Sequence, residues 1–185
     1  MNKIMFLIPF CTLVFLAFSY TQQTETSEKA MLISKAMPHL ELEEFNTAEN
    51  VTSIMSKENI PNQIFLMNFF ASWCPICENE RKHLISLSEI YKLPIVGVAY
   101  KDKTEDVAKT LQKLGNPYQR IAMDNSGFTG AVWDMTGTPH SYIIDTHGHV
   151  RYIHRGDISQ SDITNIILPM VNKIKQEDNN KVKQQ

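Results

Sequence analysis

The sequence predicts a three-layer α/β/α domain built around a central mixed β-sheet. Three observations carry that reading. Apolar runs of strand length alternate with segments of helical periodicity, the pattern of strands joined by crossover helices. One run, Ile64 to Ala71 ("IFLMNFFA"), is apolar and aromatic over a strand's length, as expected for a central strand covered on both faces. Near the C-terminus two strand-like stretches flank a short turn, which adds an antiparallel hairpin to the sheet.

The elements follow in order. After the 64–71 strand, Ile76, Glu80, Leu84, Leu87 and Tyr91 recur at helical spacing, with Ile90 on the same face. Pro75 suits the first helical position, where its missing N–H costs nothing. "PIVGVAY" (Pro94 to Tyr100) reads as a second buried strand. "TEDVAKTLQKLG" (Thr104 to Gly115) reads as a helix with a capping Thr104, early acids, late lysines and a terminal glycine. "SYIID" (Ser141 to Asp145), the turn "THG" and "HVRYIHR" (His149 to Arg155) form the hairpin. A last helix, near 160–175, carries Ile163, Ile166, Ile167, Met170, Val171 and Ile174, and Pro169 is expected to kink or split it.

The chain has 185 residues, enough for one domain with extensions. Residues 1–20 ("MNKIMFLIPFCTLVFLAFSY") carry one Lys and then an uncharged apolar run, the pattern of a signal peptide or a short signal-anchor. Ala17-Phe18-Ser19 is a passable cleavage site, and Cys11 sits inside the apolar run as a small apolar residue. Residues 21–37 read as a polar linker, 38–175 as the folded domain, and 176–185 as a disordered tail. Charged residues make up 21% of the chain and the formal net charge is −2, without a basic cluster, which argues against a nucleic-acid partner.

The chemistry concentrates in "WCPIC" (Trp73 to Cys77), at the strand-to-helix junction. A c-type haem attachment needs a histidine directly after the second cysteine, and residue 78 is Glu. A structural zinc site needs four ligands, and no second cysteine pair exists. The six histidines (His39, His83, His140, His147, His149, His154) keep a metal role, such as copper handling, as the alternative. A purely structural disulfide is disfavoured because so short a loop constrains the unfolded chain little. Thiol–disulfide exchange fits best. A helix N-terminus stabilises an anion, which lowers the thiol pKa of Cys74, while Cys77, one turn in, can attack a mixed disulfide formed there.

The stretch "NFFASWCPIC" resembles the active-site segment of thioredoxin-fold proteins, and Gly137-Thr138-Pro139 resembles their cis-proline loop. Together with "VGVAYKD", "LGNPY" and "TGTPHSYIIDTHGHVRYIHRGDI", the match is closest to the exported thioredoxin-like group of cytochrome c maturation, the DsbE/CcmG type. The resemblance covers about Pro38 to Ile174. It implies a thioredoxin-like fold and a thiol:disulfide oxidoreductase with no cofactor and no metal. Cys74 would be the exposed nucleophile and Cys77 the resolving thiol of a redox disulfide. Trp73 would shield the pair. Pro75, Thr138, Pro139 and His140 would line the substrate site, with Pro139 cis and Thr138 offering backbone groups to an extended segment.

In ordinary thioredoxins an acid lies on the strand six residues before the first cysteine, and Asn68 stands there in this chain. Glu80 resembles the alternative acid of the CxxCxxE group, able to exchange a proton with Cys77 if burial raises its pKa. The family pattern typically places Glu directly after the cis-proline and often Tyr three positions before it; here the residues are His140 and Thr136. His140 is then a second proton carrier or a loop histidine facing the groove.

Pro75 and Ile76 add no charge between the cysteines, so the pair should sit toward the reducing, thioredoxin end of the range, ~−270 mV. The expectation is a reductant for apocytochrome c or another cytochrome c maturation protein, regenerated by a membrane thiol-reductant transporter. The resemblance places it at the bacterial inner membrane through one N-terminal anchor, its catalytic domain in the periplasm, or free there after cleavage. A general disulfide oxidase or isomerase, or a copper- or zinc-binding metallochaperone, is the alternative.

Overall fold

The apolar run is a strand, Phe65–Phe70, and every residue of it is buried. In chain order the computed structural model contains β1 (Lys35–Ala36), β2 (Glu41–Phe45), β3 (Ser53–Ser56), β4 (Phe65–Phe70), α1 (Pro75–Glu89), β5 (Ile95–Tyr100), α2 (Thr104–Leu114), β6 (Arg120–Asp124), α3 (Phe128–Val132), β7 (His140–Ile144), β8 (His149–Arg155), α4 (Gln160–Asp162), a π-helical segment (Ile163–Ile167) and α5 (Leu168–Val182). The structure describes residues 34–45 and 53–182. The leader, its cleavage site, Cys11 and most of the linker lie outside the described residues.

Among the described residues, eight strands form one sheet in the order β1-β8-β7-β4-β5-β6-β2-β3. β4, β5 and β6 run parallel, while β7 and β8 on one side and β2 and β3 on the other pair antiparallel, so the sheet is mixed. The connections β4-α1-β5 and β5-α2-β6 advance in the same direction across the sheet, and the right-handed rule for such crossovers puts α1 and α2 on one face. Ile85 of α1 indeed lies where a Cβ on Gly115, at the end of α2, would stand. The opposite face carries a core cluster: Phe65, Met67, Phe69, Val96, Val98, Tyr142 and Ile144 packed with Met37, Leu40, Met55 and Trp133. Trp133, just past α3, meets Phe69 and Tyr142 with ring centroids 5.8 and 5.0 Å apart.

Several expectations are corrected. The linker does not run to residue 37, because Lys35 and Ala36 pair with Val150 and His149 and Met37 is buried. The tail is not disordered throughout: α5 continues to Val182. Glu177 receives a 2.6 Å hydrogen bond from Arg151 Nη2 and Asp178 one of 2.8 Å from Thr146 Oγ1, so the hairpin holds a stretch with few apolar side chains. Pro169 is the second residue of α5, and the last helix is interrupted just before it, between α4 and α5. The preceding π turn, in which the Leu168 N–H bonds the Ile163 carbonyl, takes up the register around the residue that lacks an N–H. Thr104 does not cap α2; Lys103 occupies that position without a side-chain cap. On α1, Ile76 and Ile90 are exposed, and the buried face is Cys77, Glu80, Arg81, Leu84 and Leu87.

Candidate active site

Cys74 closes the loop after β4 and is the N-cap of α1, with Pro75 as the first helical residue. It is joined to Cys77 in a disulfide, Cα atoms 5.3 Å apart. The backbone N–H of Cys77 points at Sγ of Cys74 over 3.1 Å, so a donor that a helix start leaves free is aimed at the sulfur. Sγ of Cys74 also lies 3.6 Å from the carbonyl oxygen of Thr138, and the Thr138–Pro139 peptide bond is cis. Here the expectation of an exposed Cys74 is corrected: the residue is 6% exposed against 2% for Cys77. The two differ less than their roles would suggest because the disulfide ties the sulfurs together and Sγ of Cys74 lies against the Thr138 carbonyl, beside the buried Pro139.

The approach loop is fixed by its neighbours. Asp102, after β5, accepts from the Ser72 N–H at 2.5 Å and the Ser72 hydroxyl at 2.8 Å, and also from the Lys103 N–H. Trp73 Nε1 donates to the Lys101 carbonyl, and the residue is 56% exposed. Ile76 is exposed next to it. The cysteines are therefore bordered by apolar surface that a partner segment could cover.

Glu80 is wholly buried one turn beyond Cys77. Its Oε1 accepts from Asn68 Nδ2 at 3.0 Å and its Oε2 from the Ile158 N–H at 3.0 Å. Burial pushes its pKa up to about 7, against the two hydrogen bonds and the nearby Arg81, which favour the anion; Asp157 adds to the rise. A carboxyl poised there can take or return a proton near neutral pH. Arg81 is itself buried, its guanidinium carbon 5.4 Å from the ring centroids of both Phe70 and Tyr118.

His140 is not a loop residue facing a groove. It begins β7, is 1% exposed, and stacks on Tyr142 with centroids 4.9 Å apart. Neither ring nitrogen has a hydrogen-bond partner. Burial, helped by the Arg155 charge, pushes its pKa down to about 4, so at neutral pH it is an uncharged packing residue and a poor carrier of protons. Sequence reasoning missed Tyr118, Ser141, Arg81 and the Ile158 N–H as parts of this site. One signal was available: a glycine inside a buried strand marks close approach. A Cβ on Gly97 would stand 2.9 Å from the Tyr118 ring.

A fold of this order, with a cysteine pair capping the helix after the central strand, defines a thioredoxin-like oxidoreductase. The redoxin family model matches residues 33–167. The chain is 30% identical over 181 residues to the thiol:disulfide interchange protein DsbE of Tatumella citrea, covering 94% of this chain and 96% of that one. It is 31% identical over 136 residues to DsbE of Haemophilus influenzae, covering 70% and 75%. A thioredoxin-family thiol:disulfide interchange protein from Chlorobium tepidum TLS superposes with a TM-score of 0.58 at 22% identity, over 75% of this chain and 97% of that one. The chain belongs to the redoxin family and, within it, to the DsbE-type thiol:disulfide interchange proteins. Its activity is thiol:disulfide oxidoreduction.

Proposed function

We propose that this oxidoreductase is a reductant for exported proteins, acting in cytochrome c maturation on the haem-binding cysteines of apocytochrome c or on a haem-ligation partner. The observation that carries the direction is the cap itself. Sγ of Cys74 receives one backbone N–H, from Cys77, and the intervening Pro75 and Ile76 bring no charge. The thiolate is thus stabilised only moderately, and a thiolate that is not over-stabilised gives up its electrons readily.

In the reaction, the Cys74 thiolate attacks one sulfur of the partner disulfide, whose other sulfur leaves as a thiolate and is protonated. Cys77 then passes its thiol proton to the Glu80 carboxylate and attacks Sγ of Cys74. The mixed disulfide breaks, the Cys74–Cys77 bond forms, and the partner leaves with two electrons and a second proton. Trp73, Pro75, Thr138 and Pro139 border the sulfurs and receive the partner segment; His140 packs behind the cis-proline. Regeneration takes two electrons from a membrane thiol-reductant transporter, because an oxidising compartment holds no such pool. The apolar 4–18 stretch supports export and attachment to the inner membrane, with the domain in the periplasm.

Equilibration of the full chain with dithiothreitol or glutathione buffers tests the direction. A midpoint near that of thioredoxin, together with trapping of an apocytochrome c CxxCH peptide, supports the proposal. A midpoint near the strong oxidants overturns it in favour of disulfide formation.

A further inference from the structure

We propose that Asn68 is a positioning residue for the proton step: it clamps Glu80 in the carboxylate form that receives the Cys77 proton. The inference rests on the reading of Glu80 as that acceptor.

Asn68 stands in the middle of β4, wholly buried, and all of its side-chain polar atoms are used. Nδ2 donates to Glu80 Oε1 at 3.0 Å and to Ser141 Oγ at 2.9 Å, and Oδ1 accepts from the Tyr118 hydroxyl at 2.8 Å. The Glu80 carboxylate can only accept, so it takes the amide N–H, and the Tyr118 hydroxyl donates to the amide oxygen on the other side. Tyr118 is brought there by a matched approach: its ring stacks on Phe70 at 4.6 Å and lies against Gly97, where any side chain would collide with it.

The consequence follows from donor counting. Oε1 faces the Asn68 N–H and Oε2 faces the Ile158 N–H, so both oxygens of Glu80 meet donors and neither meets an acceptor. A proton arriving on either oxygen removes the negative charge that strengthens both bonds, so two buried charge-assisted hydrogen bonds become weaker neutral ones. Asn68 thereby opposes the burial that favours the neutral acid. The other groups that bear on Glu80 are Arg81 on its own helix, Tyr118 after α2, and Asp157 after β8. An acid at position 68, as ordinary thioredoxins carry, would put two carboxylates about one hydrogen bond apart, and they could not both ionise. The amide is what a site with one working carboxylate needs at that place.

The test is the pH dependence of single-turnover reduction of oxidised glutathione by the reduced full chain. Glu80→Gln should abolish the midpoint near neutrality. Asn68→Ala should raise that midpoint by about one pH unit, with exchange about tenfold slower on its acid side. Tyr118→Phe, which removes only the hydroxyl, should move it the same way by less, and it carries the test if Asn68→Ala fails to fold. In the Glu80→Gln background neither change should shift the profile. A folded Asn68→Ala or Tyr118→Phe with an unmoved midpoint, while Glu80→Gln removes it, overturns the role of Asn68 alone. A midpoint that survives Glu80→Gln overturns the reading of Glu80, and this inference with it.

Discussion

The amide of Cys77 reaches back 3.1 Å to Sγ of Cys74 across the first turn of α1, so one residue of the redox pair caps the helix with the N–H of the other. The cap and the disulfide partner are the same two residues. In the reduced protein the same N–H is placed to hold the Cys74 thiolate.

That geometry makes the two cysteines unequal. Cys77→Ser is expected to accumulate a stable mixed disulfide with a substrate peptide, because attack on Sγ of Cys74 is removed while the thiolate remains. Cys74→Ser should form none. Non-reducing gels after acid quenching distinguish them; equal trapping by both variants would contradict the assignment.

Ile76 lies between the cysteines and is 49% exposed, so the site accepts a larger polar side chain without repacking. Ile76→His should stabilise the Cys74 thiolate and shift the midpoint toward oxidising values by at least about 30 mV, the equivalent of ~1.4 kcal/mol for a two-electron couple. Equilibration with glutathione measures it. An unchanged midpoint would mean that charge between the cysteines does not set the potential here.

Glu80 and His140 oppose each other in the dependence of stability on pH. Glu80, with its carboxyl raised to about 7, binds a proton in the folded state that the unfolded chain has already lost, so its contribution falls as pH rises from about 4.5 to about 7. His140, held down to about 4, is neutral in the fold while the unfolded imidazole is protonated, so its contribution rises between about 4 and 6.5. Each is on the order of 3 kcal/mol. The intact protein should therefore be nearly level across that window. Glu80→Gln should grow more stable from pH 4 to 6.5, and His140→Phe less stable, in urea midpoints at each pH. Parallel curves for all three proteins would refute both assignments.

Arg151 lies far along the hairpin from the cysteines and bridges Asp145 at 3.2 Å and Glu177 at 2.6 Å, almost out of solvent. Arg151→Ala leaves the buried Asp145 carboxylate without its cation, at a cost of roughly 3–5 kcal/mol. Chemical denaturation should show the loss while the glutathione reduction rate stays within about twofold. A stability change under about 1 kcal/mol would show that the Asp145 hydrogen bonds from the His147 and His149 N–H groups suffice alone.

The central strand, its crossover helix, the second strand and the hairpin were legible because hydrophobic periodicity and turn residues are local properties. The outer strands were not. β2 reads "ELEEF" and alternates burial only weakly, and its place is set by pairing with β6, far along the chain. α1 shows the limit of periodicity most clearly. The spacing placed Glu80, Leu84 and Leu87 on the inner face, as found, but also Ile76 and Ile90, which are exposed, and it left out Cys77 and Arg81. Partners on β4 and the segment after α2 made burial of those polar groups tolerable.

By itself the sequence determined the α/β class, the cysteine pair at a helix start and the chemistry of exchange, since each depends on neighbours within a few residues. Only the tertiary structure decided what surrounds that pair. It enclosed Glu80 between Asn68 and the Ile158 N–H, turned His140 into the aromatic stack, and left Cys74 nearly covered in the disulfide. Burial and donor placement are set by residues from distant parts of the chain, and they fix the proton affinities that local pattern cannot express.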